Sequence, residues 1–212
     1  APESISHAVI LYGDTKPDSC AVDPEKSHSL NVDSTKTVVD WLTEHGVKVV
    51  FTSTESVFDG EKGDYTEKDA ACPIHAYGRQ KLEVESYIQT RDENHIIIRL
   101  GRILGTTPGD GTLLDGFIKS IDQKQTIYCA HDQIFSPVYV SDVVSGIIKL
   151  IEQNCSGLFH LCNPVAYSRL QILEQMIASL GKSSPVEAYV VPCKISDLGL
   201  AKSASSSHST WP

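Results

Sequence analysis

Strand-like and helix-like stretches alternate along this chain of 212 residues, and that alternation limits the folds open to it. Val47-Lys-Val-Val-Phe51 is a short, apolar, β-branched run of the kind that fills a buried strand. Ile96-Ile-Ile-Arg-Leu100 is a second such run, and Ala8-Val-Ile-Leu-Tyr12 a third. Longer segments with helical periodicity lie between and after them. This order predicts an α/β layer architecture with a mainly parallel sheet and helices on both faces. With 41% hydrophobic residues the chain can bury one sizeable core. No linker or internal repeat divides it, so residues 1–212 are expected to form a single domain. The serine-rich stretch 201–212 is expected to be a disordered tail.

Several helix ends are legible. Asp23-Pro24 supplies an N-cap and a first helical residue. The helix after it is expected to run to Glu44 and to end at Gly46, with Leu30, Val38, Trp41 and Leu42 on its apolar face. Further on, Tyr77, Lys81, Val84 and Ile88 fall at i, i+4, i+7 and i+11, a single stripe that begins polar and ends apolar. Such a helix buries its far end and offers its start to a cleft. Arg91-Asp-Glu-Asn94 is a polar turn. Another helix is expected to start near Ser141 or Asp142. One more starts near Ser168, with Leu170, Leu173, Met176, Ile177 and Leu180 inward and Gly181 at its end.

The chemistry concentrates at Tyr77-Gly-Arg-Gln-Lys81, which sets a phenol and an ammonium on one helix face. A free tyrosine has a pKa near about 10. A lysine cation beside it is expected to lower that value and to make the pair a general acid or base for an alcohol/carbonyl couple. The Val47–Phe51 strand empties into Thr52-Ser53-Thr54-Glu55-Ser56, a hydroxyl-rich turn. Open α/β sheets place their sites at the carboxyl ends of strands. The hydroxyls of Thr52, Ser53 and Thr54 can bond a substrate oxygen there, or they can satisfy their own backbone.

Together these residues resemble the extended short-chain dehydrogenases, and among them most closely the dTDP-4-dehydrorhamnose reductase family. The matching stretches are Ser53-Thr-Glu-Ser-Val-Phe-Asp-Gly60, Pro73-Ile-His-Ala-Tyr-Gly-Arg-Gln-Lys-Leu-Glu83 and Asp132-Gln-Ile-Phe-Ser-Pro-Val-Tyr-Val-Ser-Asp142. The resemblance implies a Rossmann-like fold and a catalytic set of Thr54, Tyr77 and Lys81. Thr54 would bond the reacting oxygen, with Ser53 as the alternative. Tyr77 would protonate a sugar carbonyl as hydride arrives from NADPH or NADH. Lys81 would lower the tyrosine pKa and hold the nicotinamide ribose. Asn31 matches an asparagine that props the hydroxyl loop, or is a surface amide. Related dehydratases carry Thr-Asp-Glu where this chain has Thr54-Glu55-Ser56, which counts against dehydration. The rhamnose reductases have Asp-Tyr in place of Glu55-Ser56 and a tryptophan in place of Arg102. Both departures fall on the substrate side.

The resemblance begins partway through the family pattern. Ala8–Tyr12 resembles its fourth strand, so Gly13 and Thr15 are expected along the central part of NADP or NAD, and the nucleotide fold is expected to be incomplete at the N-terminus. No Gly-x-Gly-x-x-Gly or Gly-x-x-Gly-x-x-Gly occurs. Gly105-Thr-Thr-Pro-Gly-Asp-Gly111 comes after a later strand and is expected to be a flexible loop over substrate. A small region towards the C-terminus would lie on the substrate side.

Formal net charge is −9 without a lysine/arginine cluster, which argues against a nucleic-acid partner. Arg99 and Arg102 are candidates for a substrate phosphate or for surface ion pairs. The six cysteines show no Cys-x-x-Cys and no zinc-ligand spacing, so no metal is expected. No long apolar run indicates a membrane span, and free thiols favour a cytoplasmic location. His75 borders the cleft or lies in a solvated loop. The functions open are a reductase acting on a nucleotide-linked sugar or a similar carbonyl, a non-catalytic relative resembling the regulatory β subunit of methionine adenosyltransferase, and an inactive fragment. A homodimer or a regulatory partner enzyme is open as well.

Overall fold

The two central strands are buried along their whole length, so both faces of the sheet need cover. A computed structural model describes residues 5–180 and 189–198. Its elements run β1 (His7–Ile10), α1 (Pro17–Val22), α2 (Pro24–His28), α3 (Ser34–Glu44), β2 (Lys48–Thr54), α4 (Ala76–Arg91), β3 (Ile96–Leu100), β4 (Ile103–Leu104) and α5 (Leu113–Asp122). They continue with β5 (Ile127–Ala130), β6 (Ile134–Phe135), β7 (Val138–Tyr139), α6 (Val140–Glu152), β8 (Gly157–Leu161), β9 (Tyr167–Ser168), α7 (Arg169–Ser179) and β10 (Val190–Cys193).

The main sheet has the order β1-β2-β3-β8, and every pair in it is parallel. Strand alternation sorts its residues to two sides. Val49, Phe51 and Ile97 pack with Val32, Val39, Val84 and Ile88 of the α3/α4 side. Val50, Ile96 and Ile98 pack with Val143 and Ile147 of α6 on the other. All seven residues of β2 are buried, including Lys48. The Lys48 Nζ donates to the Cys155 carbonyl at 2.7 Å and to Ser156 Oγ at 2.9 Å, which satisfies the buried cation. A third cluster joins α5, α7 and β5 through Phe117, Leu173 and Cys129. Small parallel pairs β4–β7 and β5–β10 and an antiparallel pair β6–β9 complete this region. The α/β, mainly parallel, Rossmann-like reading holds.

Two expectations about helix faces need correction. The segment from Pro24 to Glu44 is interrupted by a π-helical turn at Ser29–Asp33. A π turn inserts a residue into the helical count and rotates every later position about the axis. The inward positions are Asn31, Val32, Thr35, Val39 and Leu42, while Leu30, Val38 and Trp41 are exposed. On α7, Leu173 and Ile177 are buried as expected, together with Ile172, but Leu180 at the C-cap is exposed. The Asp23 cap accepts from the Lys26 amide at 3.1 Å, and Ser168 forms a reciprocal cap with Gln171. Gly181 and the 201–212 tail lie outside the described residues.

Candidate active site

The site is built where β1 and β2 end side by side. Ile10 is in register with Phe51, so the Gly13–Thr15 turn and the Thr52–Thr54 hydroxyls leave the sheet at neighbouring points. The three hydroxyls divide their work. Thr52 Oγ1 donates to the Ile10 carbonyl at 2.9 Å. Ser53 shares the parity of Val49 and Phe51, which face α4, and its Oγ donates to Glu85 on that helix. Thr54 Oγ1 accepts from the Ser56 amide at 3.1 Å and caps the short turn Glu55–Val57. Its side chain also lies near enough to the Tyr77 hydroxyl to act against the rise in that phenol's pKa. Of the two, Thr54 is the hydroxyl beside Tyr77, while Ser53 is turned to Glu85.

Helix α4 delivers the other two groups. His75 is its N-cap, with Nδ1 accepting from the Gly78 amide at 3.2 Å, so it is a cap rather than a solvated loop residue. Gly78 matters for approach: a Cβ there would collide with the Ser56 carbonyl oxygen. Without it, α4 lies directly on the turn after Thr54. Tyr77 and Lys81 are both buried. Burial pushes the Tyr77 phenol up to about 12, opposed by its bond with Thr54 and reinforced by the negative charge of Glu55. The expected lowering of this pKa by Lys81 is not found. Lys81 Nζ lies 6.0 Å from the centre of the Tyr77 ring and spends a hydrogen bond on the Thr52 carbonyl at 2.9 Å. Desolvation is the larger effect on the phenol. Burial also brings Lys81 down to about 8, with the Glu85 carboxylate pulling it back up.

Asn31 faces inward within the π turn. It accepts from the Asp14 amide at 2.7 Å and donates to the Asp14 carbonyl at 2.9 Å and to Gln80 Oε1 at 2.8 Å. It therefore props the turn after β1, not the hydroxyl turn after β2. Gly13 has φ +141°, and a Cβ on it would sit 2.8 Å from Asn31 Oδ1, so this turn requires glycine. Thr15 is exposed just beyond it. These residues fit the middle of a dinucleotide, because a backbone without a Cβ can approach it closely. Among the described residues, no glycine-rich turn is placed to cradle its pyrophosphate.

The two candidate arginines part company. Arg99 is in register with Ser53 and is 6% exposed, and its Nη2 pairs with Glu85 Oε2 at 2.7 Å. It is a buried structural cation and not a phosphate ligand. Arg102 instead lines a cavity of 510 Å³ together with Arg169, Thr112, Phe117 and Tyr128. The guanidinium of Arg102 lies 5.4 Å over Phe135, and that of Arg169 lies 5.5 Å over Phe117. Sequence reasoning misses Arg169, although a signal exists: it is a cation at the first position of a helix, where the macrodipole disfavours positive charge. The Gly105–Gly111 loop is pinned. The Gly109 and Gly111 amides donate to Asp115 at 2.7 and 3.2 Å, so they are not available to a phosphate. Among the described residues, no group of three or more His, Cys, Asp or Glu is placed to hold a metal ion, and no helix is long and apolar enough to cross a membrane.

Residues 5–207 match the family of the RmlD substrate binding domain, and the chain belongs to that family. It is 27% identical over 169 residues to a dTDP-4-dehydrorhamnose reductase of Sinorhizobium fredii, spanning 76% of this chain and 55% of that protein. It is 25% identical over 162 residues to methionine adenosyltransferase 2 subunit beta of Xenopus tropicalis, spanning 73% and 48%. The chain thus spans about half the length of these relatives. Among solved structures, a dTDP-4-dehydrorhamnose reductase from Bacillus anthracis in complex with NADP is similar with a TM-score of 0.83 at 23% identity, over 94% of this chain and 68% of that one. At that identity the likeness is one of fold.

Proposed function

We propose that this chain carries the catalytic half of an NADPH- or NADH-dependent reductase that acts on a keto group of a nucleotide-linked sugar. The observation that carries this reading is the convergence of Thr54, Tyr77 and Lys81 at the carboxyl ends of adjacent parallel strands. The reductase relative and the NADP-bound neighbour support the same chemistry.

Gly13, Thr15, Tyr77 and Lys81 would hold a reduced nicotinamide, which would supply the hydride. The proton is the chain's own task. As the carbonyl oxygen gains negative charge it becomes far more basic than a phenolate, so a phenol that holds its proton to about pH 12 still gives it up. A raised pKa keeps Tyr77 in the acid form that reduction needs. The Thr54 hydroxyl bonds Tyr77 and shares the developing charge. Lys81 acts once the proton has left, because its cation then faces a phenolate instead of a neutral ring. The cavity with Arg102 and Arg169 suits a diphosphate, and the exposed Tyr128 offers ring surface to the rest of a nucleotide. A cytoplasmic location belongs to this reading. The test is nicotinamide oxidation with a panel of nucleotide-linked keto sugars, comparing the parent with Tyr77→Phe. Retained turnover in that variant would sink the assignment.

A second reading is a regulatory subunit acting through a partner enzyme. The likeness to methionine adenosyltransferase 2 subunit beta and the departure at Glu55-Ser56 favour it. Co-purification of a partner with no carbonyl turnover would select it.

A further inference from the structure

The carboxyl end of β2 is tied to α4 by three rungs. Tyr77 comes close enough to Thr54 for the hydroxyl to lower its pKa, Lys81 Nζ donates to the Thr52 carbonyl at 2.9 Å, and Glu85 accepts from Ser53 Oγ. The three helix residues stand at i, i+4 and i+8, one above the other. The first two rungs belong to groups already assigned to the reaction. The third has no part in it, yet it is the most deeply buried, with Glu85 only 1% exposed.

The same carboxylate takes Arg99 Nη2 at 2.7 Å on Oε2 and Arg99 Nε at 3.1 Å on Oε1 and 3.2 Å on Oε2. Ser53 and Arg99 are register partners on adjacent strands, so Glu85 grips two strands at one level of the sheet. Ion pairs this deep are costly to desolvate, and well-packed apolar side chains often stabilise as much or more. What the pair provides that apolar packing does not is direction. A planar guanidinium bonded to both carboxylate oxygens fixes the plane of the carboxylate, and with it the position of Ser53.

We propose that Glu85 is a positioning residue for proton delivery: oriented by Arg99 and bonded to Ser53 Oγ, it fixes the last residues of β2 against α4 so that the Thr54 hydroxyl stays opposite the Tyr77 phenol. Its effect on turnover rests on the reductase reading, while the fixing of β2 does not. The carboxylate also lies close enough to Lys81 to favour its cation against burial.

Glu85→Gln leaves Arg99 buried without its counter-charge, and that variant can fail to fold. Ser53→Ala is the cleaner test, because it cuts the rung and leaves the ion pair intact. With nicotinamide oxidation as the assay, at a temperature well below melting, Ser53→Ala is expected to lower kcat at least about tenfold with KM within about twofold, since small misplacements of reacting groups are costly. Ser53→Thr keeps the hydroxyl and is expected to restore kcat to within about threefold. Hydrogen exchange at the Ser56 amide, which bonds Thr54, is expected to quicken about tenfold in Ser53→Ala. Parental kcat and parental exchange in Ser53→Ala would overturn the proposal, as would failure of Ser53→Thr to rescue. If the parent reduces no keto sugar, the reductase reading falls and the Ser56 exchange alone decides the fixing of β2.

Discussion

Lys81 Nζ lies 2.9 Å from the Thr52 carbonyl oxygen, and this bond holds a buried cation on the backbone of the neighbouring strand. The cation also lies 4.6 Å over the Phe51 ring. Neither partner replaces the water it has lost, and its pKa falls to about 8 from the usual 10.5. Between those values the unfolded chain binds more protons at this residue than the folded one. Stability should therefore rise with pH across roughly 8 to 10.5, by an amount on the order of 3 kcal/mol from this group. Lys81→Met should abolish that rise. The check is denaturant unfolding of parent and variant at several pH values. A parallel pH dependence in the two proteins would contradict the assignment of the shift to Lys81.

The same residue predicts an activity profile. kcat/KM reports ionisations of the free enzyme. It should decline above about pH 8, as Lys81 loses the charge that favours the phenolate left by proton transfer. Tyr77 adds no limb of its own below about pH 12. A plateau extending well past pH 9 would show that Lys81 keeps its proton during turnover.

Arg99 and Arg102 should separate cleanly on substitution. Arg99→Leu strands the Glu85 carboxylate in the core and should cost about 3–5 kcal/mol of stability. Arg102→Ala and Arg169→Ala should leave melting nearly unchanged. Each should raise KM for a nucleotide-linked sugar about 10- to 100-fold, the worth of a charge-assisted hydrogen bond. Equal KM for parent and both variants would move the diphosphate away from this cavity.

Legibility from sequence tracks the range of the interactions involved. The strands β2 and β3, the cap at Asp23, the helix start near Ser168 and the Tyr77–Lys81 stripe are local patterns, and they fall where periodicity and cap chemistry put them. The meeting of Thr54 with Tyr77 is legible through the family resemblance, since residues distant in sequence converge at strand ends. The roles of Ser53 and Arg99 are not legible. Each depends on which face of the sheet α4 covers and on a carboxylate 32 or 14 residues away. Periodicity misplaces Leu30, which lies in a π turn that nothing local in Ser29–Asp33 announces, and it misplaces Val38 and Trp41 because α3 turns Thr35, Val39 and Leu42 inward instead. The upward shift at Tyr77 escapes sequence reasoning because the i+4 lysine is visible there, whereas the depth of burial is not.

Gly78 tests the closeness of α4 to the hydroxyl turn. On an isolated helix, alanine is better than glycine by about 1 kcal/mol. At this position the added Cβ would run into the Ser56 carbonyl oxygen and would also lie 3.0 Å from the Pro73 Cβ. Backbone is the obstacle, so a rotamer change cannot relieve it. Gly78→Ala should be destabilised by about 1–3 kcal/mol despite the better propensity. Its kcat should fall further than its stability explains, because α4 retreats from Thr54 and takes Tyr77 with it. Arg79→Ala, at the next and exposed position, is the control and should show neither effect. Thermal melts and kcat measured side by side decide it: a Gly78→Ala protein with parental stability and turnover would mean that α4 has room to spare and that Tyr77 is not held at Thr54 by this contact.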